Sequence, residues 1–280
     1  MDETIVQRSI PVSVTGLPGD LATRIADAVK EEDDMVLAEY GLTGPDQPDS
    51  TKIYDTEVKL FGPDGQKMGI EEMKKRYPSS LVILDASKGP MHEVGELYAE
   101  AEIPFVFAGT IGDSDALRET IKKSNISAMI APNISLELNV FASIFEERAK
   151  EFPGMFKGYK AKIVESHQKS KKDVSGTARK WTRELETMGM EVEIYSARTE
   201  EDYAELGISD DYWDLHGYHW VTIKDPTGHT VIEFNTKIDG RDTYKLGAPR
   251  TIRFMDYKTR EGSKGEVFGY MDAVRWELGK

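Results

Sequence analysis

The first half of the chain alternates short runs rich in β-branched residues with amphipathic segments of helical period, and few folds admit that alternation. The runs are Ile10–Thr15, Met35–Tyr40, Glu57–Phe61, Leu81–Asp85, Phe105–Ala108 and Ala128–Ala131. Strands separated in this way by helices pair in parallel and are covered on both faces. The clearest helix, Asp20–Glu31, places Leu21, Ile25, Ala28 and Val29 on one face. The expectation is an α/β fold with a doubly wound parallel sheet. Beyond Pro132 a helix over Leu136–Phe152 leads to Pro153-Gly154, after which the strands lengthen and alternate. These are Lys162–His167, Glu191–Ser196, Gly217–Lys224 and Thr230–Ile238, the last two joined by the turn Asp225-Pro226-Thr227-Gly228. A second, mixed α+β module is expected there, with the tail from Arg253 to Met271 returning to the first.

A length of 280 residues suits two modules, and 39% hydrophobic against 31% charged residues places the chain in the globular class. No run approaches the ~20 apolar residues of a membrane span. The opening Met1-Asp2-Glu3-Thr4 lacks the basic and apolar regions of a signal peptide, so a cytoplasmic protein is expected, with no membrane partner. The absence of cysteine removes disulfides, thiolate metal sites and cysteine nucleophiles. A net charge of −14 repels phosphate backbones, so nucleic acid is not an expected partner. The acidic run Glu31-Glu32-Asp33-Asp34 reads as a solvated turn.

Two places could carry chemistry. The strand Ile10–Thr15 runs into Gly16-Leu17-Pro18-Gly19-Asp20-Leu21-Ala22 at a helix start, where glycines let a backbone approach a pyrophosphate and helix N–H groups accept its charge. A ligand-free tight turn needs the same glycines. Pro18 removes one N–H, and Asp20 adds a negative charge near the expected phosphates. About twenty residues on, Glu39 ends the second strand, where a dinucleotide enzyme places an acid for the ribose hydroxyls; an exposed strand-end acid explains it equally. The denser constellation runs from Glu165 to Arg179, gathering His167, Gln168, Lys169, Lys171, Lys172 and Arg179 around a Ser175-Gly176-Thr177 helix start. Such a cluster suits an anion: Lys171 and the helix N–H groups could hold carboxylates, while His167 exchanges a proton near neutral pH. A capped helix with a solvated basic loop is the alternative. His216 and His219, three apart in an extended segment, point to opposite faces, and no metal site is expected.

These segments resemble the dihydrodipicolinate reductase family in collinear order. Gly16 to Ala22 stands where the family has its Gly-x-x-Gly-x-Met-Gly loop, Asp85-Ala86-Ser87 where it has Asp-Phe-Thr, and Gly109-Thr110-Ile111-Gly112 where it has Gly-Thr-Thr-Gly. Ala131-Pro132-Asn133-Ile134-Ser135 is similar to its Ala-Pro-Asn-Phe-Ser segment. Glu165-Ser-His-Gln-Lys-Ser-Lys-Lys-Asp-Val-Ser-Gly-Thr-Ala178 is similar to its Glu-x-His-His-x-x-Lys-x-Asp-x-x-Ser-Gly-Thr-Ala signature, nearest the plant and cyanobacterial variant. Gly240-Arg241 and Met271-Asp272-Ala273-Val274 fit its closing segments.

The resemblance implies a Rossmann-type dinucleotide domain over residues 1–133 and 252–280, and a substrate-binding and oligomerisation domain over 134–251. It implies a homotetramer or dimer and NADH- or NADPH-dependent reduction of 4-hydroxy-tetrahydrodipicolinate, a small dicarboxylate, in lysine and diaminopimelate biosynthesis. His167 would then be the proton donor and Lys171 its partner, with Gln168, Ser175, Gly176 and Thr177 at the substrate. Gly16, Gly19, Asp20, Leu21, Glu39, Asp85, Ala86, Ser87, Gly109, Thr110, Pro132 and Asn133 would meet the cofactor. The departures at Pro18, Asp20, Ala86 and Ser87 leave two alternatives: an imine reductase acting on another anion, or a non-catalytic regulatory protein that binds a nucleotide or metabolite.

Overall fold

In the computed structural model, which describes residues 8–78 and 80–279, the strand Ile10–Thr15 is the pivot of a six-stranded sheet. The segment Met1–Thr4 lies outside the described residues. Met35–Leu37 flanks the pivot on one side and Val82–Asp85 on the other, followed outward by Phe105–Phe107, Ala128–Ile130 and Val267–Phe268, with every pair parallel. The chain departs in opposite directions from Ile10–Thr15, so its carboxyl end and that of Val82–Asp85 flank the switch point at which such sheets bind ligands.

Side chains of these strands alternate between two cores. Val12, Val14, Leu84, Val106 and Met129 pack with the helix Asp20–Glu31 and the tail helices Thr243–Arg260 and Tyr270–Glu277. Ile83, Phe105, Phe107 and Ala128 pack with Gln66–Arg76, Met91–Glu100 and Ser114–Lys122 on the other face. Both faces are therefore dry, which explains strands with almost no polar residue.

Glu57–Phe61, expected in this sheet, belongs elsewhere. It forms part of Thr56–Phe61, the centre of a separate three-stranded sheet with Tyr40–Leu42 and Ser50–Ile53. Glu57 and Lys59 alternate with the buried Val58 and Leu60, a period that suits a strand with one wet face and cannot sit between two cores. Met35–Tyr40 likewise divides: Met35–Leu37 stays in the large sheet, and Tyr40 opens the small one. The acidic run is corrected too. Lys245 pairs with Glu31 at 2.7 Å, and Arg253 grips both oxygens of Asp34 at 2.8 and 2.7 Å and reaches Glu32 at 2.5 Å, so three of the four acids anchor the tail helix.

The chain divides into two compact units, the described residues up to Leu136 together with those from Tyr244, and Glu137–Thr243. Gly247 lets the returning helix close on the first unit, since a Cβ there would lie 1.7 Å from the Ile134 carbonyl oxygen.

In the second unit, the sheet order is Glu191–Ala197, Lys160–His167, His216–Lys224 and Val231–Asp239, with the first pair parallel and the others antiparallel. Ala161, Ile163, Val221 and Ile223 bury one face against the helices Leu136–Glu151 and Gly176–Thr187, around a ring cluster of Phe141, Phe145, Trp181 and Phe234. Among the described residues, no helix is long and apolar enough to cross a membrane.

Glu184 sits beside that cluster, 8% exposed, with one carboxylate oxygen buried and unpartnered. Burial drives its carboxyl up to about 7. A carboxyl raised in the folded state stabilises less as pH rises from its unfolded value through about 7, because ionisation then charges a buried group. Glu184→Gln should therefore raise stability at pH 8 by roughly 1–3 kcal/mol and leave it unchanged near pH 4. Urea unfolding followed by tryptophan fluorescence at the two pH values measures this; equal stability of the two proteins at pH 8 would refute it.

Candidate active site

Strand alternation places Glu165 on the helix-facing side of Lys160–His167, with 0% exposure. Its carboxylate accepts three hydrogen bonds, from His167 Nδ1 at 2.6 Å, Ser196 Oγ at 2.5 Å and Arg198 Nη2 at 2.5 Å. Burial pulls this carboxyl upward, but the three donors outweigh it and hold the group at about 2, so Glu165 is ionised. The Nδ1–H of His167 is thereby committed to Glu165, and Nε2 is the ring atom left to exchange a proton. That nitrogen lies over Gly217, its neighbour across the sheet, where a Cβ would stand only 3.3 Å away. Tyr203 donates to the His167 carbonyl at 2.8 Å, and the imidazole is 16% exposed.

His219 lies beside this pair, 5.4 Å from His167 between ring centroids, with Nε2 2.8 Å from Ser175 Oγ. Burial, helped by the nearby His167, lowers it to about 3, so it is neutral. Glu165, His167 and His219 offer metal-ligand atoms within 4.8 Å of one another. Those groups already bond to Arg198, Ser196, Ser175 and each other. His216 faces the opposite side of the strand, bonded to Ser166 Oγ at 2.8 Å and to the Tyr212 carbonyl at 2.9 Å.

The basic loop begins at half-buried Gln168, whose carbonyl accepts from the Lys171 N–H at 2.9 Å. Lys171, 19% exposed, reaches Asp173 at 3.1 Å. Ser175 caps the helix Gly176–Thr187 by accepting from the Ala178 N–H at 3.0 Å. No acidic side chain occupies that helix's first turn, so its positive end is uncompensated, with Gly176 exposed and Thr177 half-buried at the mouth. Arg198 joins these parts, donating to the carbonyls of Lys171 at 2.9 Å, Ala197 at 2.8 Å, Glu165 at 3.3 Å and Asp173 at 3.3 Å.

Two residues escaped the sequence reading. Arg198 lies nineteen positions beyond the constellation, just past the end of the parallel neighbouring strand Glu191–Ala197, and only the pairing of Ala197 with Ser166 brings it close. Gly217 gives no signal without knowledge of the register that sets it opposite His167.

The dinucleotide candidates assemble in the first unit at the carboxyl ends of its strands. Gly16, at φ +102°, faces Ser87 so closely that a Cβ would lie 2.9 Å from the Ser87 nitrogen, a place only glycine fits. The small sheet braces this loop: the Gly16 N–H donates to the Leu42 carbonyl at 2.9 Å and Thr43 Oγ1 to the Leu17 carbonyl at 2.5 Å. Gly19 stands at the helix N-cap with no side-chain cap, Asp20 pairs with Arg24 at 3.8 Å, and Leu21 is half-buried. Glu39 is exposed and 3.4 Å from Arg76. Asp85 is fully buried: its carboxylate accepts from the Ser87 N–H at 2.8 Å and the Tyr98 hydroxyl at 2.7 Å, so its side chain shapes the Asp85–Ser87 turn and Ala86 and Ser87 form the accessible part. A Cβ on Gly109 would stand 3.1 Å from the Ser87 carbonyl oxygen. Thr110 and Pro132 are exposed, and Asn133 accepts from the Ser135 N–H at 2.9 Å.

Residues 138–274 match the family model described as dihydrodipicolinate reductase, C-terminus. The chain is 26% identical over 272 residues to probable 4-hydroxy-tetrahydrodipicolinate reductase 2, chloroplastic, of Oryza sativa subsp. japonica, a match that spans 95% of this chain and 83% of that one. It is also 26% identical over 271 residues to 4-hydroxy-tetrahydrodipicolinate reductase 1, chloroplastic, of Arabidopsis thaliana, over 95% and 78%. Among solved structures, dipicolinate-bound dihydrodipicolinate reductase from Paenisporosarcina sp. TG-14 has a TM-score of 0.62 at 16% identity, over 93% of this chain and 97% of that one. The WlbA dehydrogenase of Thermus thermophilus, solved with NAD and alpha-ketoglutarate, has a TM-score of 0.56 at 13% identity, over 94% and 91%. Both likenesses establish the α/β fold.

The Glu165 cluster generates a stability prediction. A carboxyl depressed to about 2 contributes stability that is complete above its unfolded value near 4.5 and is lost as pH falls through about 2. Glu165→Gln leaves the Arg198 guanidinium, 17% exposed, without its counter-charge. The variant should lose about 2–4 kcal/mol at pH 7, with the loss shrinking as the medium is acidified. Chemical denaturation across that range checks this, and a loss independent of pH would contradict it.

Proposed function

We propose that this chain, whose residues 138–274 match the family model described as dihydrodipicolinate reductase, C-terminus, reduces 4-hydroxy-tetrahydrodipicolinate to tetrahydrodipicolinate in lysine and diaminopimelate biosynthesis. The observation that carries this reading is the His167 imidazole, fixed by an ionised Glu165, linked through His219 to the acid-free helix start at Ser175, Gly176 and Thr177, and joined through Arg198 on Glu165 to the backbone of Lys171. Such a group suits a small dicarboxylate that must be held by cations and N–H dipoles and given a proton.

The second unit then binds and protonates. Lys171 and the N–H groups of Gly176 and Thr177 hold carboxylate, Gln168 lines the approach, and His167 Nε2 delivers the proton to the ring nitrogen. The first unit holds the dinucleotide, with the pyrophosphate against Gly16, Gly19 and the first-turn N–H groups of Asp20 and Leu21. Ala86, Ser87, Gly109, Thr110, Pro132 and Asn133 border it, and Glu39 meets the ribose hydroxyls. The residues present fit the group: Gly16 allows the close Ser87 approach, and the helix start carries no side-chain cap that would compete for its N–H groups. When bound, the nicotinamide supplies hydride, and the conversion balances as hydride plus proton added to the ring with the 4-hydroxyl lost as water. The protein works as a homo-oligomer, a dimer or tetramer, with the long edge strand Val231–Asp239 open for pairing.

Loss of NADH or NADPH absorbance with enzymatically generated substrate tests the activity. His167→Ala and Lys171→Ala should each lower kcat by ~10²–10⁴-fold with dinucleotide affinity unchanged. Thr177→Val should act mainly on KM. Near wild-type turnover in both of the first two variants would overturn the assignment.

The two cofactors should differ as well. NADH should bind at least as well as NADPH, because Glu39 accepts from ribose hydroxyls, repels a 2′-phosphate and holds Arg76. Glu39→Ala releases Arg76 and should shift the affinity ratio toward NADPH by about tenfold. Calorimetric titration with each cofactor decides it, and an unchanged ratio would remove Glu39 from the site.

A further inference from the structure

We propose that Arg198 is a positioning residue for this site: one guanidinium fastens the loop that carries Lys171 to the acid partner of His167. The kinetic part of this inference rests on the reductase reading, whereas the geometric part does not. Each of its three nitrogens is engaged, Nε with the Lys171 carbonyl, Nη1 with the Ala197 and Glu165 carbonyls, and Nη2 with the Glu165 carboxylate and the Asp173 carbonyl. The base of the side chain is fixed in turn, since the Arg198 N–H donates to Asp202 at 3.0 Å and Asp202 also closes the turn at Thr199.

The loop between His167 and Ser175 contains no regular element, and its own backbone bond is the Lys171 to Gln168 turn. Lys171 has a flexible four-carbon stem, so its ammonium can hold a defined charge position only if its backbone is held. Arg198 supplies two bonds to that backbone, at residues 171 and 173, and a third to the carboxylate that orients His167. Proton donor and charge holder thus share one anchor. The rigid fork of a guanidinium can make all three bonds at once, whereas a lysine at 198 would keep the charge beside Glu165 and lose the carbonyl contacts.

Arg198→Lys and Arg198→Met test this in the full chain. Amide hydrogen exchange at residues 169–173 should speed at least tenfold in both, while the strands Lys160–His167 and His216–Lys224 keep their protection; Arg198→Lys, which preserves the charge, guards against loss of the fold. In turnover, kcat should fall roughly 10–100-fold with a small change in KM. Lys171→Ala should cost less than tenfold in the Arg198→Met background, against its full effect in the wild type, because an unfastened lysine has little left to lose. Unchanged exchange at 169–173 in both variants, or additive losses in the double variant, would overturn the proposal. A wild-type protein without turnover would refute the reductase reading, and the exchange measurement would still decide the role of Arg198.

Discussion

A carboxylate buried in the middle of a sheet is costly, and the second unit is arranged around making Glu165 tolerable. Its oxygens need donors, and those donors come from its own strand two residues on, from the neighbouring parallel strand, and from the residue just after that strand. Each donor is oriented by satisfying the acid. His167 presents Nε2 because Nδ1 is committed, and Arg198 faces the loop because one edge of its guanidinium is bound to Glu165. An apolar residue at 165 would leave a comparable core and remove the reason for either side chain to stay where it is. The cost of the buried charge is therefore what sets the geometry of the site.

The first unit meets a similar demand by steric means. Gly16 has no side chain and takes a left-handed conformation because the Ala86–Ser87 backbone occupies the space, and the buried Asp85 holds that backbone in its turn through the Ser87 N–H. The small sheet completes the support by engaging the Gly16 N–H and the Leu17 carbonyl. A loop that must approach a ligand closely is thereby rigid without being bulky.

Much of this was legible in the sequence, for physical reasons that also mark the limits. Phe105–Phe107 and Ala128–Ile130 announce themselves because strands between two cores admit almost no polar residue, and Ile10–Thr15 because its β-branched run leads into a glycine turn and a helix. His167, Lys171 and Ser175 stand out because cations gathered at a helix start are rare in so acidic a chain. The small sheet was misassigned because Glu57–Phe61 is apolar enough to suggest burial while its alternation reveals one wet face. Arg198 and Gly217 were invisible because their importance depends on strand register, which no local pattern encodes. The acidic run deceived for the same reason, since its partners Lys245 and Arg253 lie more than two hundred residues away.

The return of the tail bears on how the protein is made. One core of the first unit contains Val12 and Ile25 from the beginning of the chain and Ile252, Phe254 and Val274 from its end, and one of the sheet's two outer strands is Val267–Phe268. During vectorial synthesis, the residues that begin this core leave the ribosome long before those that complete it, and the whole of Glu137–Thr243 emerges in the interval. The later-synthesised unit is sequence-continuous and can close first, whereas the earlier one waits for the last forty residues or so with part of its apolar surface uncovered. Premature termination near residue 245 would thus spare the local contacts of the middle unit and leave the opening unit as the aggregation-prone fragment.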